Sequence, residues 1–186
     1  MVEADEKLWL IEAGGDPFDL IKALNLLDIS PKQLEGVFLT HGHFDHVTGL
    51  IALRGKSTPI YLHHRDLPIL PQRIAQGIEG QMVELRGGEK FEISEDLEMR
   101  VLHSPGHTPG SCCYYLPSEG ILFSGDTVFT GGFVGRTDLP GGNFKLLVQS
   151  LQTLSHLEVR HLLPSHGPPA LNNGRDQLLY ALRTLL

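Results

Sequence analysis

A histidine-rich segment directly follows a short apolar run near the start of the chain, and it restricts what the chain can fold into. The apolar run, residues 37–40, has the pattern of a strand covered on both faces, and it leads into the sequence THGHFDHVTG. Four potential metal ligands follow within six residues: His41, His43, Asp45 and His46. Imidazole nitrogen and carboxylate oxygen are the usual ligands of zinc, iron and manganese. The segment predicts a metal-binding loop; the alternative is a solvated histidine-rich surface loop.

The spacing of these four residues suits two metal ions. In an extended loop, His41 and His43 lie two residues apart and project to the same side. Asp45 and His46 lie at the turn into a helix and can project toward a neighbouring point. One loop can therefore supply two ligands to each of two ions.

Three further potential ligands occur in similar surroundings later in the chain. His107 lies in SPGHTPGS, Asp126 in FSGDTVF and His166 in LPSHGPP, each just beyond the end of an apolar run. Ligand-binding loops of α/β folds converge at the carboxyl ends of strands. Any one of the three, taken alone, is more typical of a capping or turn residue. Together with the first segment they make seven ligands, enough for two metals that share one carboxylate.

The spacing of apolar residues and turn residues along the chain predicts one α/β domain over residues 1–186. Strands are predicted at residues 7–13, 37–40, 60–63, 82–85, 90–93, 97–103, 112–116, 121–124 and 161–163. Helices are predicted at residues 17–27, from the histidine cluster through 53, at 67–76 with an interruption by proline, at 144–154 and at 175–186.

The net charge and the two cysteines restrict which binding partners and which cellular compartment we expect for the chain. The formal net charge of −7 argues against a nucleic-acid or anionic-membrane partner. The first dozen residues carry no signal-peptide pattern, and no apolar run approaches the ~20 residues needed to cross a bilayer. The two cysteines, Cys112 and Cys113, are neighbours in a strand-like run and point to opposite faces, so we expect packing residues in a reducing, cytoplasmic compartment.

The succession of HxHxDH, GHTPGS, SGDTVF and SHGPP resembles the metallo-β-lactamase superfamily. The sequence GGFVGRTDLPGGN, residues 131–143, is similar to that of the small glyoxalase II-like hydrolases within it. The resemblance covers residue 7 to about residue 173. It implies an αββα four-layer sandwich, with two mixed sheets face to face and helices outside. It also implies that the chain lacks the leading β-hairpin of the family.

Carried over residue by residue, the resemblance implies a dinuclear metal centre. One ion would be held by His41, His43 and His107, and the second by Asp45, His46 and His166. Asp126 would bridge both ions. Two divalent metals are therefore expected, zinc first, with iron or manganese as alternatives because His/Asp sites accept metals according to supply.

The resemblance also implies an activity, which is hydrolysis of a small thioester of the acylglutathione type by a hydroxide held between two metals. Asp45 and Asp126 are its expected catalytic residues, and Asp45 would orient the hydroxide. The alternatives are a lactone or ester hydrolase of the same fold, a non-catalytic binding member, and a mono-iron persulfide dioxygenase-like oxidoreductase. In that last alternative the iron would be held by the residues matching His41, His107 and Asp126.

For a few further residues the sequence supports only weaker predictions of a role. Glu12 stands where the family commonly has an aspartate that braces the metal-binding loop. Arg136 can contact an anionic substrate, or can instead pair internally with Asp138 or a backbone carbonyl. Phe44 and Phe133 can line the substrate cleft, although an aromatic residue near a loop is as often a packing residue. The leucine stripe of the terminal helix, which includes Leu186, is typical of a core cap and is compatible with a homo-oligomer interface.

Overall fold

The computed structural model describes residues 1–185; Leu186 of the predicted leucine stripe lies outside the described residues. The chain divides into two compact units, Met1–Leu85 and Arg86–Leu186. Each unit is built on a five-stranded mixed sheet with helices, so the predicted α/β class is confirmed. That the whole chain forms a single domain stays a prediction. Among residues 1–185 no helix combines the length and the apolar character that crossing a membrane requires.

The sheet of the first unit contains five strands that lie side by side in chain order. They are β1 (Val2–Ala4), β2 (Lys7–Ile11), β3 (Leu34–Phe38), β4 (Ile60–His63) and β5 (Met82–Leu85). β1 pairs with β2 in antiparallel fashion, and the remaining neighbours are parallel. The carboxyl ends of β2 to β5 therefore share one edge, which is where loops of an α/β sheet place ligands. The strand β1 was not predicted from the sequence.

Short helices connect these strands. The α-helices are α1 (Pro17–Leu26), α2 (Phe44–Val47) and α3 (Gln72–Ile78), and the 3₁₀ helices are Pro31–Gln33, Thr48–Leu53, His64–Ile69 and Glu79–Gln81. α1 begins where predicted, because the Asp16 side chain accepts the N–H of Phe18 at 2.8 Å and Pro17 occupies the first helical position. The proline-interrupted helix predicted at residues 67–76 is confirmed in its interruption but wrong in its bounds. The chain forms a 3₁₀ helix there, and α3 begins only after Pro71.

Most residues of β3 and β4 are buried, and they pack on both faces of the sheet. On one face Val37, Leu39 and Leu62 join the apolar cluster under the helices. On the other face the Phe38 ring lies 5.4 Å from Trp9 and 4.5 Å from Tyr61, measured between centroids. The sequence pattern predicted coverage on both faces for this run, and the burial of β3 confirms it.

The sheet of the second unit has the spatial order β10-β9-β8-β7-β6, and only β9 and β10 are parallel. Its strands are β6 (Lys90–Ser94), β7 (Leu97–His103), β8 (Cys112–Leu116), β9 (Ile121–Gly125) and β10 (His161–Pro164), and its helices are α4 (Phe144–Leu154) and α5 (Gly174–Leu185). The core holds Leu122 and Leu162 from the sheet, together with Leu147, Leu151 and Leu178 from the helices.

Cys112 and Cys113 are buried thiols in β8. Cys113 belongs to the apolar cluster beneath α4 and α5, as a packing residue does. Burial raises the pKa of the Cys113 thiol, and this effect is larger than the lowering of the pKa by the hydrogen bond with Ser104.

Candidate metal centre

The histidine-rich segment of the first unit forms a tight loop between β3 and α2. His41 lies in the loop, His43 is the residue that precedes α2, and Asp45 and His46 lie in the helix itself. The His41 ring centroid is 4.8 Å from that of His43 and 3.9 Å from that of His46. The loop therefore brings together the three histidines that the sequence predicted as ligands.

Glu12 supports this loop from the end of β2. Its Oε1 accepts the N–H of Thr40 at 2.9 Å, and its Oε2 lies 2.9 Å from Nδ1 of His46. Ligand atoms of Glu12, His41 and His46 all lie within 4.8 Å of one another. The predicted strand at residues 7–13 ends at Ile11 because Glu12 adopts a φ of 68°, which turns the chain out of the sheet.

Two hydrogen bonds determine which imidazole nitrogen of a ligand histidine carries the lone pair. The Nδ1 of His46 faces the Glu12 carboxylate, so it carries the proton and donates it. The Nδ1 of His107, in the second unit, lies 2.7 Å from the carbonyl oxygen of Arg136, which can only accept. In both residues Nε2 is then the nitrogen with the basic lone pair, the arrangement that metal-binding histidines commonly show.

Close backbone approach holds the loop of the first unit in place. A Cβ on Gly14 would lie 1.9 Å from the carbonyl oxygen of Asp45, so only glycine fits there. The Ala13 N–H donates to the His46 carbonyl at 3.1 Å, and the Gly49 N–H donates to the Ala13 carbonyl at 2.8 Å. These contacts tie α2 to the turn after β2.

Asp66 is a further support that the sequence did not predict. Its side chain is fully buried, and Oδ2 accepts the N–H of Gly42 at 2.9 Å. Gly42 lies between the two candidate ligands His41 and His43. The available signal was an acidic residue shortly after a strand parallel to β3, since such a residue belongs to the same edge of the sheet.

The three potential ligands of the second unit gather around Asp126, which directly follows β9. Its Oδ2 lies 3.5 Å from Nε2 of His107, and its Oδ1 lies 3.6 Å from Nε2 of His166. Both distances exceed an ordinary N–H···O hydrogen bond. Two ligands bound to one tetrahedral zinc at ~2.1 Å each stand roughly 3.4 Å apart. The spacing therefore fits a carboxylate that offers one oxygen to each of two ions.

A similar spacing occurs in the first unit, where Asp45 Oδ2 lies 3.4 Å from Nε2 of His46. The Asp45 side chain is 58% exposed, whereas that of His46 is buried. Asp45 is thus the most exposed ligand candidate of this loop, as suits a group that exchanges a proton with water.

The weaker candidates lie in exposed positions. Arg136 donates two hydrogen bonds to Asp138, at 2.8 and 2.7 Å. These bonds lower the pKa of Asp138 to about 2 and raise that of Arg136. The internal pairing considered for Arg136 is therefore present, and its contact with a substrate stays a prediction. Phe44 and Phe133 are 67% and 71% exposed, so neither is a core residue.

Comparison with known sequences finds a matching family and several similar proteins. A family model described as the metallo-beta-lactamase superfamily matches residues 1–167. A probable metallo-hydrolase of Bacillus subtilis (strain 168), YqgX, is 32% identical over 178 residues, which cover 89% of this chain and 82% of that protein. The hydroxyacylglutathione hydrolase GloC of Haemophilus influenzae is 32% identical over 155 residues, 77% of this chain and 71% of that protein.

Comparison with solved structures gives the same result. The protein TTHA1623, crystallised in a di-iron-bound form, matches with a TM-score of 0.75 and 31% sequence identity. The match covers 94% of this chain and 89% of that one. This likeness, with the family match, confirms the fold class that the sequence predicted.

Proposed function

The chain belongs to the metallo-β-lactamase superfamily, and from this premise we propose that it is a dinuclear-metal hydrolase that cleaves small thioesters of the acylglutathione type. The similarity to a hydroxyacylglutathione hydrolase and to a probable metallo-hydrolase supports a hydrolytic reaction. The di-iron-bound form of a similar structure supports a centre with two ions.

In this proposal the seven residues divide between two ions that share one carboxylate. His41, His43 and His107 would hold one ion, Asp45, His46 and His166 would hold the other, and Asp126 would be shared by both. The observation that carries the proposal is the position of Asp126, whose oxygens lie 3.5 Å from the His107 nitrogen and 3.6 Å from the His166 nitrogen. Zinc is the proposed metal, and iron and manganese are the alternatives because the same ligands accept all three.

Bound divalent ions would lower the pKa of water to ~7 and so supply a hydrolytic nucleophile at neutral pH. The chain's own residues orient the ligands and manage the proton. Glu12 and the Arg136 carbonyl hold His46 and His107 with Nε2 as the lone-pair nitrogen. The exposed Asp45 carboxylate takes up the proton of the attacking water and releases it to solvent.

No nucleophilic side chain is needed for this reaction. Both cysteines are buried, and burial raises the pKa of the Cys113 thiol, so it is a poor nucleophile. Phe44, Phe133 and Arg136 are the proposed substrate contacts, in the case of Arg136 with an anionic group of the thiol. The proposed partner is a small-molecule thioester, and the proposed compartment is the cytoplasm.

Elemental analysis combined with thioester turnover tests the proposal. Protein purified after growth in defined metals should contain about two ions per chain at full occupancy, and it should hydrolyse S-lactoylglutathione only when metal is present. An uncharged lactoyl thioester of N-acetylcysteamine shows whether the glutathione part matters. Full loading with no hydrolysis of either compound would overturn the proposal. One iron per chain, with oxygen consumed on addition of glutathione persulfide, would favour the dioxygenase-like alternative.

A further inference from the structure

A groove of about 760 Å³ lies in the first unit beside the metal-binding loop. Its lining includes Phe44, Asp45, Thr48, Ile51, Pro71 and Ile74. Pockets of this volume typically enclose a small organic molecule, and their walls are mostly apolar. The lining thus contains Asp45, a proposed metal ligand.

Three segments of the first unit build the groove. One wall comes from the start of α1 at Pro17, the second from α2 and the 3₁₀ helix Thr48–Leu53, and the third from the start of α3. The Thr48 hydroxyl already forms a hydrogen bond within the protein, because its Oγ1 donates to the Gly15 carbonyl at 2.7 Å. The Asp16 carboxylate likewise accepts a hydrogen bond as the N-cap of α1.

The surface that lines the groove is therefore mostly apolar. Ile74 is buried, while Phe44 and Ile51 are partly exposed and contribute apolar surface. Among the lining residues the charged side chains are Asp16, Asp45 and Arg73. A ligand that fits such a lining has a hydrocarbon body and one polar end directed at Asp45.

We infer that this groove binds the hydrocarbon part of an acyl group longer than lactoyl, with the thioester group beside Asp45 and the ion proposed to bind there. The inference rests on the proposed thioester hydrolysis and names its substrate class as medium-chain acyl thioesters. A two- or three-carbon acyl group fills only a small part of a groove of this volume. An acyl chain of roughly six to eight carbons extends over Phe44 and Ile51 and removes their apolar surface from water.

The first experiment compares acyl lengths on metal-loaded protein. N-acetylcysteamine thioesters with acetyl, butyryl, hexanoyl and octanoyl groups differ only in the part that the groove would bind. Burial of one methylene stabilises by ~0.8 kcal/mol, which is a factor of about four. We expect kcat/KM to rise about two- to fourfold per methylene up to hexanoyl. A flat profile, or one that falls with length, would overturn the inference.

The second experiment fills the groove. Ile51→Trp places an indole in it, and Leu26→Trp adds the same group at an exposed site on α1 outside the lining. We expect Ile51→Trp to lower the octanoyl-to-acetyl ratio of kcat/KM at least tenfold and Leu26→Trp to leave this ratio within twofold. An equal loss for both thioesters in Ile51→Trp would show that the groove does not select the acyl chain.

Binding without hydrolysis separates this inference from the proposed function. S-octyl-N-acetylcysteamine is a thioether that cannot be hydrolysed, and calorimetry reports its binding directly. We expect one-to-one binding, weakened at least tenfold in Ile51→Trp. If this binding is found but no thioester is cleaved, the proposed function fails and the groove assignment stands. If thioesters are cleaved but the thioether does not bind, the groove assignment fails alone; ultracentrifugation then shows whether a second copy of the chain covers the groove.

Discussion

Glu12 and His46 are 34 positions apart in the sequence, and Oε2 of the first lies 2.9 Å from Nδ1 of the second. The other oxygen of the same carboxylate accepts the N–H of Thr40, so one side chain supports the histidine-rich loop at both ends. Glu12 adopts a φ of 68°, a conformation that costs a non-glycine residue about 1–3 kcal/mol. Strain of this kind persists only where surrounding contacts compensate for it, and the two hydrogen bonds are those contacts.

The first prediction concerns Glu12→Gln. The amide oxygen can still accept the Thr40 N–H, but the amide nitrogen would face Nδ1 of His46 and cannot accept its proton. His46 is then driven toward the tautomer with a protonated Nε2, which cannot bind a metal. We expect zinc affinity to fall by a factor of ~10–100, measured by competition with a chromophoric chelator.

The control for this variant is Glu35→Gln, which makes the same exchange at an exposed position of β3. Its zinc affinity should equal that of the unchanged protein. If Glu12→Gln also keeps full affinity while remaining folded, the orientation of His46 does not depend on Glu12.

The second prediction concerns the shared carboxylate. Asp126→Asn preserves the shape of the side chain but replaces one of its two oxygens with an amide nitrogen. The variant therefore cannot offer one oxygen to an ion beside Nε2 of His107 and the other to an ion beside Nε2 of His166. We expect metal content to fall from about two ions per chain to one or fewer, and turnover to fall at least ~10²-fold. Elemental analysis and thioester assays measure both, and Asp96→Asn in an exposed turn is the matched control. Full metal loading in Asp126→Asn would contradict the bridging role.

Much of the fold follows from local pattern. The strands Ile60–His63, Met82–Leu85, Leu97–His103 and Cys112–Leu116 have the predicted bounds, because turn residues flank each apolar or alternating run. The ligand segment was also visible, because one short stretch of sequence carries all four side chains. Four candidate ligands so close together in the sequence predict a metal site without any tertiary information.

The features that escaped prediction depend on distant partners. β1 is only three residues long, and pairing with β2 is what makes it a strand. The contact between Asp66 and Gly42 joins positions 24 residues apart. The acceptor for His107 is the backbone carbonyl of Arg136, which carries no side-chain signal. Residues that support candidate ligands are therefore harder to identify in a sequence than the candidate ligands themselves, since tertiary packing selects them.

The third prediction concerns pH and the Arg136–Asp138 ion pair. The hydrogen bonds from Arg136 lower the pKa of Asp138 to about 2, below its usual 3.8. A depressed carboxyl pKa stabilises the folded state above the usual value, and this stabilisation is lost as the pH falls toward 2. Both side chains are exposed, so salt weakens the effect. In Arg136→Ala we expect the pKa of Asp138 to return toward 3.8 in a carboxyl NMR titration, whereas Arg183→Ala on α5 should leave it low. An unchanged titration in Arg136→Ala would mean that another group lowers this pKa.

The fourth prediction tests the close approach between the turn after β2 and the helix that carries Asp45. In Gly14→Ala the new Cβ would lie 1.9 Å from the Asp45 carbonyl oxygen and 3.3 Å from the His46 Cα, so the backbone of α2 must move. We expect the free energy of unfolding to fall by about 1–3 kcal/mol in urea denaturation, with weaker zinc binding because two proposed ligands are displaced. Gly80→Ala is the matched control, since no atom lies within 4 Å of its new Cβ. Its stability should stay level or rise by up to ~1 kcal/mol, because alanine has fewer conformations in the unfolded chain. Equal unfolding free energies for the two variants would mean that the contact with Asp45 relaxes without cost, and the turn would then not determine where Asp45 and His46 lie.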